Sequence, residues 1–248
     1  HPVMQRSTAL NGAYAPRPKD SLYYAQWPLE NRETNGAAAG ADLNIRAAWP
    51  QTRGAGVTIA VADTGVDLGH QELAGRAEPT LHYNFIQGTP DGNPLGTNAL
   101  SAHGTEVAGL LLAERDNHRI VGVAPEARLA SWVIFNTNAT LAAGDQLMQM
   151  YQFRNDEVPI QTHSWSTSSL LLDGPTLEEE VGLSNAWRWG RSGLGTIMVR
   201  PAGNNRLYYA NANEDAYAND PRIISVAAVG PAGRAASYSE PGACLWVA

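Results

Sequence analysis

The chain has 248 residues, of which 44% are hydrophobic and 17% charged, and its formal net charge is −7 at pH 7. This composition excludes a disordered or fibrous protein, and the length is enough for one sizeable α/β domain. The negative charge, with no basic stripe, argues against nucleic acid as a partner, and no apolar run is long enough for a membrane span.

The first half of the chain predicts one strand and one long helix, separated by an irregular connection. Residues 1–40 are rich in Pro, Ala, Asn and Gly and predict an extended arm with loops. Asp42 is predicted to cap a short helix over residues 43–49. The apolar residues 57–62 predict a strand buried on both faces, and a buried helix is predicted from His103 to about Arg115. The connection over residues 67–102 is too long for a plain loop, which indicates a function or small elements of its own.

The second half alternates strands and helices. Strands are predicted over residues 128–135, 159–164, 196–200 and 223–229, and residues 244–247 are predicted to begin another. Helices are predicted over residues 141–153 and from Thr176 to about Arg191, with Thr176 and Glu179 as a capping box. A polar loop is predicted over residues 164–169. This alternation predicts a parallel sheet with helices on both faces.

Two polar residues stand where such a sheet collects its chemistry. Asp63 ends the strand at residues 57–62, and His103 begins the helix that follows. In open α/β sheets, ligands and catalytic groups gather at the carboxyl ends of the strands. In these positions, His103 suits the role of a catalytic base, and Asp63 suits the role of the carboxylate that orients it.

Several short motifs, in order along the chain, resemble those of the subtilisin-like serine protease family. They are Asp63-Thr64-Gly65-Val66-Asp67, His103-Gly104-Thr105-Glu106-Val107-Ala108-Gly109, Gly122-Val123-Ala124-Pro125, Ser164-Trp165, Ala202-Gly203-Asn204-Asn205 and Tyr238-Ser239. The resemblance covers about residues 18–248, and Ser164-Trp165 together with residues 215–219 resembles the kexin and furin branch.

The resemblance implies a subtilisin-like α/β fold of three layers, incomplete in this chain. Residues 1–40 would be an arm, and residues 41–248 would be the N-terminal portion of the catalytic domain. The implied activity is that of a serine endopeptidase with Asp63 and His103 as catalytic residues and Asn204 in the oxyanion hole.

The nucleophile of the family is not found among these residues. It lies in a Gly-Thr-Ser motif, whereas each Gly-Thr of this chain is followed by another residue, namely Pro90, Asn98, Glu106 and Ile197. Because the first residue is His1 and the last is Ala248, we interpret the chain as cut and expect the serine on a separate or missing C-terminal segment. An isolated piece would expose a large apolar face, which favours a companion fragment that stays bound.

The resemblance also implies how a polypeptide substrate binds. Residues Ser164, Trp165 and Ser166 would pair their backbone with an extended substrate, although Trp165 is alternatively a core residue. Asp215 lies where furin-like enzymes carry an acid for a basic side chain, and a surface Asp is the alternative. Thr64 replaces an Asp of the kexin branch, and residues 166–169 lack its acids, so a dibasic preference is not expected.

Structural calcium is the cofactor that the resemblance implies. Its expected ligands are Asp20 in the arm, Glu72, and Asp116 or Asn117 in the loop over residues 114–120. The single cysteine, Cys244, cannot form an internal disulfide and leaves the compartment open. From the resemblance we expect a secreted or extracytoplasmic protein, in the periplasm or at the cell surface.

Two other functions compete with proteolysis. A non-catalytic relative would keep the fold as a binding or scaffold module, and a Gly-Thr-Ser motif on a companion chain would exclude it. A metallohydrolase would use Asp63, Asp67, His70 and His103, but their spacing matches no known zinc signature.

Overall fold

Six parallel strands form the centre of the computed structural model, which describes residues 14–32, 39–166 and 174–248. They are β1 (Thr58–Asp63), β2 (Tyr83–Asn84), β3 (Arg128–Val133), β4 (Ile160–Thr162), β5 (Ile197–Pro201) and β6 (Ile223–Val226). Their spatial order is β2-β3-β1-β4-β5-β6, and each neighbouring pair is parallel. The chain leaves β1 toward one side and later returns to fill the other, so the carboxyl end of β1 is a topological switch point.

Helices cover both faces of this sheet, and the three-layer α/β fold predicted from the sequence is confirmed. The four helices are α1 (Ile45–Ala48), α2 (His103–Leu112), α3 (Gly144–Gln152) and α4 (Leu177–Gly193). Side chains of β1 alternate between the faces: Ile59 and Val61 pack with residues of α2, and Ala60 and Ala62 share a core with residues of α3 and α4. Burying each large apolar side chain of these cores stabilises the fold by about 1.5–3 kcal/mol.

The arm folds back onto the domain. Ala15, Tyr23 and Leu29 are buried in one cluster with Ile45 and Trp49 of the α1 region. The rest of the predicted arm, residues 1–13 and 33–38, lies outside the described residues. Burial of these apolar side chains ties the described part of the arm to the α1 region and to Val121 of the same cluster.

Asp42 does not cap α1, which begins after Asn44 without a side-chain cap. Its carboxylate instead accepts the backbone N–H groups of Asn31 and Asn44 and forms an ion pair with Arg32. The capping box at the start of α4 is confirmed, because Thr176 and Glu179 each accept the other's backbone N–H.

The strand expected at residues 244–247 is reduced to a single parallel bridge between Val226 and Val247. Trp246 and Val247 are exposed there, so little apolar burial supports a regular strand. No helix among the described residues is long and apolar enough to cross a membrane.

Candidate active site

Asp63 and His103 form a hydrogen-bonded pair at the carboxyl end of β1. The His103 Nδ1 atom lies 2.8 Å from Oδ1 of Asp63 and 3.0 Å from Oδ2. The side chain of Asp63 is 2% exposed, whereas that of His103 is 49% exposed. A buried carboxylate therefore holds the Nδ1 edge of an imidazole ring that is about half exposed to solvent.

The sequence around the pair brings the start of α2 close to the end of β1. A Cβ atom at Gly104 would overlap the backbone carbonyl oxygen of Gly65, so a glycine is needed at this contact. The Thr64 hydroxyl accepts the N–H of Gly104 at 3.0 Å and donates to the carbonyl of Ser101 at 3.2 Å. The Thr64 N–H in turn donates to Oδ1 of Asp63 at 2.7 Å. These contacts fix the helix start, and with it the backbone position of His103.

The electrostatics of the pair favour a protonated imidazole. The hydrogen bond to Asp63 is the largest cause that raises the pKa of His103 above its ordinary value, while partial burial opposes it. The charges of Asp63 and Glu106 add to the increase. The carboxylate therefore stabilises the imidazolium form that a general base reaches after it takes a proton.

Asn204 lies on a tight loop directly after β5, and its side chain is exposed. Gly203 has a φ of 105°, which favours glycine, and a Cβ atom there would overlap Oε1 of Glu240. Glu240 is buried and accepts the N–H of Asn205 at 2.9 Å. The loop thus presents an amide side chain to solvent from a firmly held backbone.

Residues 54–248 match the model of the subtilase family, which is most of the chain. This chain belongs to the subtilase family. At 32% identity over 228 residues, it is similar to mouse proprotein convertase subtilisin/kexin type 4, with 90% of this chain and 33% of that protein covered. It is 31% identical to the dibasic-processing endoprotease of Schizosaccharomyces pombe (89% and 30% covered) and 28% identical to human furin (90% and 28%). The chain therefore spans about a third of the length of these curated relatives.

Solved structures give the same fold. The serine protease of Aeromonas sobria superposes with a TM-score of 0.78 at 22% identity, covering 95% of this chain and 44% of that one. A cold-adapted subtilisin-like serine proteinase superposes with a TM-score of 0.64 at 18% identity, covering 95% and 72%. At these identities the likeness shows the α/β subtilisin fold alone, in agreement with the prediction from the sequence.

The expected substrate residues of this subtilase follow β4. Ser164 and Ser166 are half-buried, and Trp165 is 9% exposed, with its indole Nε1 donating to the carbonyl of Ala62 at 3.2 Å. The indole is thus a core group, as the alternative interpretation allowed, while the serines flank it at the end of the strand. Residues 167–169 of the predicted polar loop lie outside the described residues.

Asp215 begins a turn that contacts Trp165 through Tyr217. Its Oδ1 accepts the N–H groups of Tyr217 at 2.9 Å and Ala218 at 2.8 Å, so the carboxylate stabilises the turn. The ring of Tyr217 contacts that of Trp165, with centroids 5.8 Å apart. The Asp215 turn and the stretch after β4 are therefore packed against each other.

Two of the expected calcium ligands carry buried oxygen atoms that have no hydrogen-bond partner among the described residues. Both carboxylate oxygens of Glu72 and Oδ2 of Asp20 are in this state. The other oxygen of Asp20 accepts the N–H of Asn117 at 3.2 Å, which joins the arm to the predicted loop. Asp116 instead accepts the N–H of His118 and lies near its ring. In the described ranges, no group of three or more His, Cys, Asp or Glu side chains assembles as a metal site.

The donors of the metallohydrolase alternative do not assemble either, within the part of the chain that the structure describes. Asp63 faces His103, Asp67 accepts the N–H of Gly69, and Nδ1 of His70 accepts the N–H of Glu72. The site thus contains a carboxylate–imidazole pair, and the other two groups stabilise local turns.

A set of buried polar groups next to Trp165 was not predicted from the sequence. Arg200 of β5 is 2% exposed, and His163 is fully buried with neither ring nitrogen hydrogen-bonded within the described residues. Burial, followed by the Arg200 charge, lowers the pKa of His163 well below its ordinary value, so this imidazole is neutral. The available signal was an arginine at the end of the strand predicted over residues 196–200.

Proposed function

We propose that this chain supplies the aspartate and the histidine of a serine endopeptidase. The observation that carries the proposal is the contact of His103 Nδ1 with both oxygens of the buried Asp63, at 2.8 and 3.0 Å. With Nδ1 bound, the second ring nitrogen of a half-exposed imidazole remains for a nucleophile. Membership in the subtilase family supports the same assignment.

In the proposed reaction, the second nitrogen of His103 takes the proton of a serine hydroxyl as the serine oxygen attacks the peptide carbonyl carbon. Asp63 holds the imidazole in the tautomer with its proton on Nδ1 and stabilises the imidazolium. The proton then passes to the leaving amine, and water releases the acyl group by the reverse sequence. Asn204 donates its amide N–H to the oxyanion, an interaction that in such enzymes contributes about 2.7–4 kcal/mol.

The serine itself lies outside these 248 residues in this proposal. No Gly-Thr of the sequence is followed by Ser. A C-terminal segment that carries Gly-Thr-Ser, either on the same polypeptide or as a companion fragment, would complete the triad and the catalytic domain begun at residue 41.

The substrate would be an extended polypeptide whose backbone pairs with residues 164–166. Asp215 would favour a basic side chain before the scissile bond. Thr64 does not supply an acid for a second basic residue, and its hydroxyl is already bonded to Gly104 and Ser101. We therefore propose a preference for one basic residue.

Calcium would play a structural role beside the arm. Asp20 and Glu72 supply three buried oxygens that lack hydrogen-bond partners among the described residues, the kind of hard donor that Ca²⁺ prefers, and Asn117 would add its amide oxygen. The ion would neutralise carboxylates that are otherwise costly to bury. We propose that the protein is secreted or extracytoplasmic, where calcium is available to such a site.

Denaturing mass spectrometry after exposure of the purified protein to a fluorophosphonate probe tests the proposal. A polypeptide that carries Gly-Thr-Ser and gains the probe mass supports it, and a His103→Ala variant should then lose the labelling. A single unlabelled chain of 26.5 kDa would contradict it and favour a non-catalytic binding module.

A further inference from the structure

The guanidinium of Arg200 is held between two aromatic rings in the core. Its central carbon lies 3.7 Å from the ring centroid of Trp165 and 4.0 Å from that of Tyr217. The residue is 2% exposed, and none of the ion pairs among the described residues includes it. Its charge is thus offset chiefly by the electron-rich faces of the two rings.

Hydrogen bonds in the plane of the guanidinium add direction to this stack. Nη2 donates to the backbone carbonyl of Trp165 at 3.2 Å, and Nη1 approaches the Tyr151 hydroxyl at 3.5 Å. The Tyr217 phenol is itself hydrogen-bonded to Glu179 of α4. A flat cation with two stacking faces and donors in its plane fixes its partners in three dimensions, which an aliphatic side chain of similar size cannot do.

Trp165 and Tyr217, the two ring partners of Arg200, lie in segments that we propose to contact the substrate. Trp165 lies between Ser164 and Ser166, and Tyr217 follows Asp215 in the same turn. Arg200 itself belongs to β5, the strand that leads into the Asn204 loop. One guanidinium therefore joins the substrate-pairing stretch, the specificity turn and the oxyanion strand.

We propose that Arg200 is a positioning residue for the bound polypeptide. In an extended segment, successive carbonyl groups point to opposite sides. With the Trp165 carbonyl turned inward to Arg200, the backbone groups of Ser164 and Ser166 are directed toward an added substrate strand. The inference rests on the proposed function, because it assumes that a polypeptide binds along residues 164–166.

Substrate length separates positioning from mere stability. In the serine-containing protein, Arg200→Lys keeps the charge but loses the flat stack. We expect kcat/KM to fall about tenfold, about 1.4 kcal/mol, for a peptide with four residues before the scissile bond. A substrate with one such residue should lose much less. A loss of global stability would lower both values alike.

Arg222→Gln is the matched control. Arg222 forms ion pairs with Glu180 and Asp220 but contacts neither ring, so its loss should lower stability and leave the ratio of long to short substrates unchanged. Tyr217→Leu removes one stacking face and should reproduce the effect of Arg200→Lys, which provides a second variant if the first folds poorly. An unchanged ratio in both, or an equal change in Arg222→Gln, overturns the proposal.

A binding measurement distinguishes failure of this inference from failure of the proposed function. In a His103→Ala background, a fluorescent six-residue peptide with arginine before the scissile bond is titrated and followed by anisotropy. A Kd about tenfold higher with Arg200→Lys supports the positioning role even if no cleavage is found. If the enzyme with His103 intact cleaves peptides but Arg200→Lys leaves the affinity unchanged in the His103→Ala background, the inference alone is overturned. Absence of peptide binding in the His103→Ala parent overturns it together with the substrate assignment.

Discussion

Replacing Asp63 by Asn is the sharpest test of the Asp63–His103 pair. The hydrogen bond to Asp63 is the largest cause that raises the pKa of His103, and the negative charge of Asp63 adds to the increase. Asp63→Asn removes that charge and keeps the size of the side chain. We therefore expect Asp63→Asn to lower the pKa of His103, as measured by the NMR titration of its ring.

The same change should have a larger effect on hydrolysis. The Asn amide can donate to Nδ1 and hold the imidazole in the tautomer that cannot accept a serine proton, for which a loss of about 10⁴-fold in kcat is typical. That loss corresponds to about 5.4 kcal/mol of transition-state stabilisation. The assay is steady-state cleavage of a fluorogenic peptide by the serine-containing protein.

Asp67→Asn is the control, because Asp67 is a nearby carboxylate that accepts the N–H of Gly69. It should change the pKa of His103 and kcat very little. If Asp63→Asn folds normally but leaves the pKa of His103 unchanged, or lowers kcat less than tenfold, the pair does not have the role assigned to it.

Three further changes have definite expected results. Gly104→Ala places a methyl group against the carbonyl of Gly65, and we expect kcat to fall about 10–100-fold through displacement of His103, measured in the same peptide assay. Glu72→Gln should abolish most of the stabilisation that calcium gives the parent, which is about 2.7 kcal/mol at a calcium concentration a hundred times Kd and is followed as a rise in Tm by scanning calorimetry. His163→Phe should flatten the loss of stability as pH falls below about 6.5, followed by urea unfolding at several pH values, because the unfolded His163 binds a proton that the buried neutral ring does not.

For each of these three predictions, a specific outcome would contradict the structural reason behind it. A fully active Gly104→Ala enzyme would show that α2 tolerates a shift, and a calcium response retained by Glu72→Gln would place the ion elsewhere. For His163→Phe, the slope between the lowered folded pKa and about 6.5 is the relevant window. The raised pKa of His103 acts above that window, where its contribution to stability is lost as pH rises through the folded value. An unchanged slope would exclude a neutral buried His163.

Most strands of the sheet could be predicted from the sequence, because the residue patterns that indicate a strand are local. Continuous apolar runs and turn residues marked β1, β3, β4, β5 and β6 to within a few residues of their observed bounds. The two-residue β2 was not predicted, since no periodicity can be read from so short a segment. The regular strand expected at residues 244–247 is absent from the described structure: Cys244 and Leu245 pack against a small apolar cluster, but Trp246 and Val247 are exposed and only one bridge forms.

Site residues could be predicted where a residue type that is common in catalysis stands at the end of a predicted strand or the start of a predicted helix. Asp63 at a strand end and His103 at a helix start could be recognised, and the structure brings them into contact. Arg200 could not be placed, because its two ring partners lie far from it along the chain and are joined only by the fold. Charged residues are rarely buried, so residue type alone does not predict a buried position for Arg200. The proposed roles of Asn204, Asp215 and the calcium ligands stay predictions.

The position of β1 at the middle of the sheet has a consequence for the order of folding during synthesis. Val61 pairs with Ser131 on one side and with Thr162 on the other. About seventy more residues must therefore be synthesised before the first neighbouring strand of β1 exists, and about a hundred before the second. The apolar stretch that carries Asp63 therefore leaves the ribosome long before it can be covered, and it is exposed to association with other chains during that time. Slowing translation after residue 162 should aid recovery of soluble protein more than slowing it before residue 128.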